Sequence, residues 1–302
     1  MSQSLAQTYS AIKPAVVAIV GNISLTSDFS PIIGTGFIVD ESGIIATNHH
    51  VIEAIGKLPK RKDQVQSRWP ASVILFYNAP GIGMGNFVMP IKATMSARLG
   101  QPTPYESERP DIALIRVAYN DLPAVSLEST PTFHEGDDVA TAGFPLGDQL
   151  FRSHGKIGQI NPTLRKGIIG SILPFPCDHP HGLLLDMEIQ GGSSGSPLFR
   201  IEEPKIIGIM YGNMNGTGLS YAVPSHYIAS LLKVAKQSSE WKDHDIGEAL
   251  SLKARIKKSL EDKNHPGIGD AFKPIGRDQI INEQTDTIPA EDHKDFTKLE
   301  LI

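Results

Sequence analysis

Cysteine is nearly absent: Cys177 is the only one in 302 residues. An intramolecular disulfide is excluded, and nothing argues for an oxidising compartment. Cys177 lies in Pro174-Phe175-Pro176-Cys177 with no metal-ligand spacing around it, so it reads as a bystander rather than a nucleophile. An excess of basic charge is missing too. The net charge is -5, which gives no case for a phosphate-binding surface and argues against nucleic acid as a partner. Long apolar runs are lacking. Ala15 to Val20 is apolar but spans six residues, far short of the roughly 20 a membrane-crossing helix needs. The opening Met1-Ser2-Gln3-Ser4-Leu5 has neither the basic start nor the apolar core of a secretory leader. The expectation from these absences is a cytoplasmic protein with no membrane association, no cofactor and no metal.

What is present is turn-forming residue and short apolar segments. The chain holds 28 glycines and 22 prolines, with 40% hydrophobic and 20% charged residues. That composition suits a globular chain of one large or two medium domains with many turns. Residues 4–12 read as a short helix closed by Pro14. Strand-like runs follow at Ala15–Val20, Gly36–Asp40, Gly43–Thr47, Ser72–Tyr77, Phe87–Met89 and Asp111–Val117. The second half repeats the style at Asp138–Phe144, Gly167–Ile172, Leu183–Leu185, Ile206–Tyr211 and Gly218–Val223. Glu41-Ser42, with Gly43 behind it, is a natural hairpin turn. Regular short strands with almost no helix between them indicate an all-β barrel or sandwich, not βαβ units. Two helices are expected late: one capped by Ser225 and beginning at His226, and an amphipathic one over Ile246–Glu261. From about residue 262 the chain is polar and aperiodic and reads as a mobile tail or a loosely docked extension.

Three segments carry chemistry together. Gln190-Gly191-Gly192-Ser193-Ser194-Gly195-Ser196-Pro197 sets serines in a run of small residues. Glycines there let the backbone turn sharply and aim successive N–H groups at one spot, as a developing oxyanion requires. Taken alone, such a run is equally an ordinary loop. Ala46-Thr47-Asn48-His49-His50-Val51-Ile52 offers a histidine, and Arg109-Pro110-Asp111-Ile112 an aspartate, each at a strand–loop junction. A serine hydroxyl needs a neutral imidazole to take its proton, and that imidazole needs an anionic partner on its other nitrogen. The residues leave rivals in each role: His49 beside His50, Ser193 beside Ser194, and Asp121, Asp137 or Asp138 beside Asp111.

The chain resembles the trypsin-like, chymotrypsin-fold serine peptidases, closest to the bacterial Deg or high-temperature-requirement type. The matching pieces are Pro14-Ala15-Val16-Val17, Gly34-Thr35-Gly36-Phe37-Ile38-Val39, Thr47-Asn48-His49-His50-Val51-Ile52, Asp111-Ile112-Ala113-Leu114-Ile115, Gly143-Phe144-Pro145-Leu146-Gly147, Gly192-Ser193-Ser194-Gly195-Ser196-Pro197-Leu198 and Gly218-Leu219-Ser220-Tyr221-Ala222-Val223-Pro224. They cover roughly residues 10–235 in order. The resemblance implies two six-stranded antiparallel β-barrels, with a short N-terminal helix and C-terminal helices. It divides the chain into a first barrel over 1–125, a second over 126–237, and a charged, helical or partly disordered extension over 238–302, with no evident PDZ domain. It implies a serine endopeptidase in which His50, directly before the valine, is the base, Asp111 its partner and Ser194 the nucleophile. His49 is then a surface or packing residue. The amides of Gly192 and Ser194 form the oxyanion hole.

The sequence departs from the family pattern in its serine turn, in the spacing of its histidine and aspartate, and in lacking an evident PDZ-like module after the protease. Ser193 stands where Asn or Asp is common, and Ser196 where Gly is common. Asp111 follows His50 by 61 positions, which points to inserted rim loops over Lys57–Arg68 and Pro80–Pro104. Activation by release of a buried terminal amine has no counterpart. Substrate binding is expected at Glu188, Tyr211 and Gly212. Met210-Tyr211-Gly212 would pair with an extended substrate strand, and Glu188 would favour Lys or Arg at the cleavage site if it faces the pocket; otherwise Asp186 and Glu188 face solvent. Protein or peptide substrates are the implied partners, and residues 238–302 could take a regulatory partner. The competing functions are a catalytically silent, peptide-binding relative and an effector protease controlled by that extension.

Overall fold

The computed structural model describes residues 3–21, 32–58, 69–79, 83–99, 110–146, 161–173, 182–214, 216–238, 241, 249–252, 254 and 293–299. The chain enters through helix α1 (Leu5–Ile12). Ser4 and Gln7 form a reciprocal capping box at its start, which satisfies two backbone donors that a helix end leaves open. Pro14 then sits in a 3-10 turn over Lys13–Ala15, so the helix closes where a proline forbids continuation.

Six strands make the first barrel: β1 (Val16–Gly21), β2 (Ile32–Asp40), β3 (Ile44–Thr47), β4 (Ala71–Ala79), β5 (Gly83–Leu99) and β6 (Ala113–Val117). Their order is β5-β4-β1-β2-β3-β6, and β5 pairs with β6 to close the ring. The β2–β3 hairpin turns at Gly43, whose φ is +98°. A Cβ there would stand 2.5 Å from the Val117 carbonyl oxygen, so glycine is required by both conformation and space. Short strands β7 (Tyr119–Asn120) and β8 (Ser126–Leu127) follow. The second barrel is β9 (Asp138–Gly143), β10 (Thr163–Leu173), β11 (Gly182–Asp186), β12 (Pro197–Arg200), β13 (Lys205–Met214) and β14 (Leu219–Pro224). It runs β12-β9-β10-β11-β14-β13 and closes through β12–β13, with β8 added in parallel on β13. The architecture is the expected pair of closed six-stranded antiparallel barrels.

Helix α2 (His49–Gly56) follows β3, and α3 (Ser225–Gln237) follows β14. One hydrophobic cluster runs from Ile12 through the first barrel into Ala142, Phe144 and Phe199 of the second, and on to Tyr227, Leu231 and Trp241. A smaller cluster, including Leu183, Leu185, Leu198 and Ile207, fills the second barrel. Phe76 and Phe144 meet across the barrels with ring centroids 5.6 Å apart. No helix among the described residues is long and apolar enough to cross a membrane.

Three local expectations are corrected, in whole or in part, and part of the extension takes a definite form. Pro80–Pro104 is not simply a rim loop, because Gly83–Leu99 is one 17-residue strand. Its first half pairs with β4 up to Pro90, and its second half pairs with β6 from Ile91. Pro90 thus stands where the strand changes partner, a place that tolerates a missing N–H. Ser225 does not cap α3: its hydroxyl donates to the Glu128 carbonyl at 2.6 Å, and the cap position falls on Pro224. Within Ile246–Glu261, Leu250–Ser251 forms a strand, β15, parallel to β7, while Leu252 and Ala254 are helical as expected; the remainder of that segment lies largely outside the described residues. Of the polar extension, His293–Leu299 forms β16 in parallel with β5, so this piece extends the first barrel's sheet. Residues 59–68 of the other expected loop lie outside the described residues.

Candidate active site

The first barrel supplies a histidine and a carboxylate. β3 ends at Thr47, and Asn48 caps α2 with extended backbone. The Asn48 amide nitrogen donates to the Asp111 carbonyl at 2.7 Å, which ties the helix start to the segment leading into β6. His50 then meets Asp111 twice. Its backbone N–H donates to Asp111 Oδ1 at 3.0 Å, and its Nδ1 lies 2.6 Å from Oδ2. With Nδ1–H donating to the carboxylate, the acceptor lone pair of the ring lies on Nε2. The His50 side chain is 43% exposed and that of Asp111 25%.

His49 takes another path. Successive residues of a helix point about 100° apart. The His49 ring is accordingly buried, with Nδ1 2.7 Å from Ser96 Oγ and Nε2 3.4 Å from Glu53. The rival aspartates are committed elsewhere. Asp121 accepts from Ser251, Asp137 holds Arg200 and the His134 amide, and Asp138 pairs with Lys166.

The second barrel supplies the serine turn between β11 and β12. Gly192 and Gly195 have φ of +91° and +87°. A Cβ on Gly195 would stand 1.9 Å from the Thr35 carbonyl oxygen. Ser193 and Ser196 are buried, whereas Ser194 is half-exposed. The turn is pinned at nearly every carbonyl. Gly191 O accepts from the Leu146 amide at 2.6 Å, Ser193 O from the Ser196 amide at 3.0 Å, and Ser194 O from the Thr35 amide at 2.8 Å. Gly192 O accepts from the Thr35 hydroxyl at 2.8 Å. In a trans peptide the C=O and the following N–H point opposite ways. Holding Gly191 O and Ser193 O therefore directs the Gly192 and Ser194 amides away from those contacts, and among the described residues neither amide donates a hydrogen bond.

The expected substrate-binding residues are placed differently from one another. Asp186 and Glu188 are exposed, alternating with buried Met187 and Ile189. The Glu188 carbonyl accepts from Arg165 at 2.8 Å. Tyr211 is half-buried and stacked on Tyr221, with ring centroids 5.7 Å apart. β13 bulges here, since Met210 pairs with Ala222 and Gly212 already with Tyr221. A Cβ on Gly212 would meet nothing within 4 Å. Met210 is engaged on both backbone groups: its carbonyl accepts from Gly195 and its amide donates to Ser196, each at 2.9 Å.

Three contributors escaped the sequence reading. Asn48 and Thr35 lie inside quoted motifs, but their bonds to Asp111 and to the turn exist only once the barrels form. Leu146 adopts a φ of +59°, rare for a leucine. The one signal for Thr35 was its flanking glycines. A Cβ on Gly34 would stand 2.9 Å from Val51, and one on Gly36 2.9 Å from Ile45, marking a place where strands approach closely.

A double barrel with an imidazole–carboxylate pair on one side and a tight serine turn on the other has the architecture of a chymotrypsin-like peptidase. The trypsin-like peptidase domain family matches residues 34–209, and the chain belongs to that family. Similar curated proteins are Deg-like. A probable periplasmic serine endoprotease DegP-like of Pseudomonas fulva is 26% identical over 272 residues, covering 82% of this chain and 48% of that protein. A protein of the same description from Halomonas elongata is 29% identical over 196 residues, covering 64% of this chain and 32% of that one. The chain thus spans less than half the length of these relatives. A solved HtrA-type protease with a tripeptide superposes with a TM-score of 0.51 at 18% identity, covering 80% of this chain and 64% of that structure, a likeness of fold.

The expected cytoplasmic location is overturned by these relatives, which are named periplasmic. A targeting segment, not the barrels, sets the compartment of such a fold. A chain without disulfides folds in either place, so scarce cysteine carried no information on location.

Proposed function

We propose that this chain is a serine endopeptidase that cleaves proteins through a covalent acyl-enzyme. Ser194 attacks the scissile carbonyl while His50 Nε2 takes its proton. Asp111 keeps the ring in the required tautomer and balances the imidazolium that forms. The amides of Gly192 and Ser194 receive the oxyanion. His50 then gives its proton to the leaving amine. A water deprotonated by the same ring attacks the ester, releasing the acid and restoring Ser194. An extended substrate lies along Tyr211–Gly212 by strand addition, with Glu188 as an exposed rim contact for basic side chains. The likeness to proteins named periplasmic supports the same compartment here.

The two-point contact between His50 and Asp111 carries this proposal, since it holds the ring by Nδ1 and leaves Nε2 to act as the base. A fluorophosphonate probe tests it. Wild-type protein is expected to be labelled at Ser194 and a Ser194→Ala variant not at all. Folded wild-type protein that resists labelling and leaves an unfolded protein substrate intact defeats the proposal.

A further inference from the structure

We propose that Thr35 is the positioning residue of the oxyanion turn, an inference that rests on the serine peptidase reading above. Thr35 belongs to β2 of the first barrel and is fully buried, yet its polar groups act largely on the second. Its hydroxyl donates to Gly192 O at 2.8 Å and accepts from the Phe144 amide at 3.1 Å. Its own amide donates to Ser194 O at 2.8 Å. Its carbonyl accepts from the Thr47 hydroxyl at 2.9 Å, which fixes the residue from behind.

One side chain therefore links the Gly192 carbonyl to the Phe144 amide, and one backbone amide grips the nucleophile's own carbonyl. A hydroxyl offers one proton and two acceptor sites, so a single threonine can satisfy a buried acceptor and a buried donor at once. Without the hydroxyl, both groups lose their partner in a dry setting, which is costly enough to drive rearrangement. The turn is what must move, because Phe144 is packed in the core. Any rotation of the Gly192–Ser193 peptide changes the backbone that aims the Gly192 and Ser194 amides. Thr35 stands apart from the charge pair: among the described residues its hydrogen bonds run to Gly192, Ser194, Phe144 and Thr47. Its loss is expected to weaken transition-state stabilisation while leaving the base untouched.

Thr35→Val removes the hydroxyl and keeps the branched shape. Losing one oxyanion donor outright costs about 10²–10³ in kcat. A misaimed hole is expected to cost about 10- to 100-fold in kcat per titrated site, with KM and the pH profile of kcat unchanged. Thr35→Ser restores the hydroxyl and is expected to recover most of the lost turnover. Thr35→Ala serves as a second hydroxyl-free variant should valine prevent folding, with the same expected loss. A purely structural role would lower Tm and leave kcat per titrated site alone. Hydroxyl-free variants within twofold of wild type in that quantity overturn the proposal while leaving the peptidase reading intact. A wild-type enzyme that takes no fluorophosphonate overturns both.

Discussion

Ser194 differs from its neighbouring serines by exposure, and His50 from His49 by direction. In the proposed mechanism, those two distinctions select the side chains that react. Asp111 spends both carboxylate oxygens on His50. Replacing it with asparagine turns an acceptor into a donor and favours the wrong ring tautomer. Asp111→Asn is expected to lower kcat by about 10⁴ at neutral pH, measured on a peptide substrate, with the fold intact by circular dichroism. Gly195 is constrained differently. With φ at +87° and the Thr35 oxygen 1.9 Å from any Cβ, Gly195→Ala must shift the turn off the first barrel. A strained left-handed residue alone costs about 1–3 kcal/mol; denaturant melts should show at least that loss, and activity should disappear. The His50–Asp111 pair and the serine turn, on which the proposed roles rest, were legible because residue type and chain order mark them. Thr35 was not, because a threonine in a strand says nothing of the glycine carbonyl 157 positions away that it will hold.

The elements show where pattern reading succeeds and fails. Most strands came through as apolar runs near their true limits. β5 did not, since Pro90 and the glycines at 83 and 85 break its run although the strand bends past them. The expected Ile246–Glu261 helix failed at Leu250–Ser251, where β7 offered an edge that a local pattern cannot see. Helices α1 and α3 each make a polar contact that titrates. Tyr9 of α1 donates to the Pro162 carbonyl at 2.6 Å, and burial pushes its hydroxyl up to about 12. A raised folded value means that the native state holds its proton longer. This share of stability is complete below the ordinary tyrosine value and is lost as pH rises from there through about 12. Tyr9→Phe should therefore flatten the alkaline fall in Tm over that window. Lys236 of α3 reaches Asp40 at the end of β2. Burial opposes ionisation of Asp40, but Lys236 and Ser42 outweigh it and hold the carboxyl below its ordinary value. Stability from this pair is present above the ordinary carboxylate value and lost as pH falls through the depressed one. Asp40→Asn should cost up to about 1 kcal/mol at neutral pH, as for a partly exposed pair. The difference from wild type should vanish in acid melts.

At the scale of the molecule, one continuous cluster joins the two barrels, so the seam is core rather than a domain contact. Phe144 is fully buried in it, against Phe76. Phe144→Ala is expected to cost about 3–5 kcal/mol in chemical denaturation. It should also lower kcat, since the Phe144 amide meets the Thr35 hydroxyl. The sequence makes the pair of barrels legible through strand spacing, but not this seam, whose contributors come from both halves of the chain. Closure of each ring has a mechanical consequence. A closed sheet has no free edge along which to slip, so the imidazole–carboxylate pair and the serine turn each ride on a stiff body. The spacing of the two is then set by the core they share. Hydrostatic pressure acts on internal voids, so the spacing between the His50 ring and the Ser194 turn should respond to it through that shared packing.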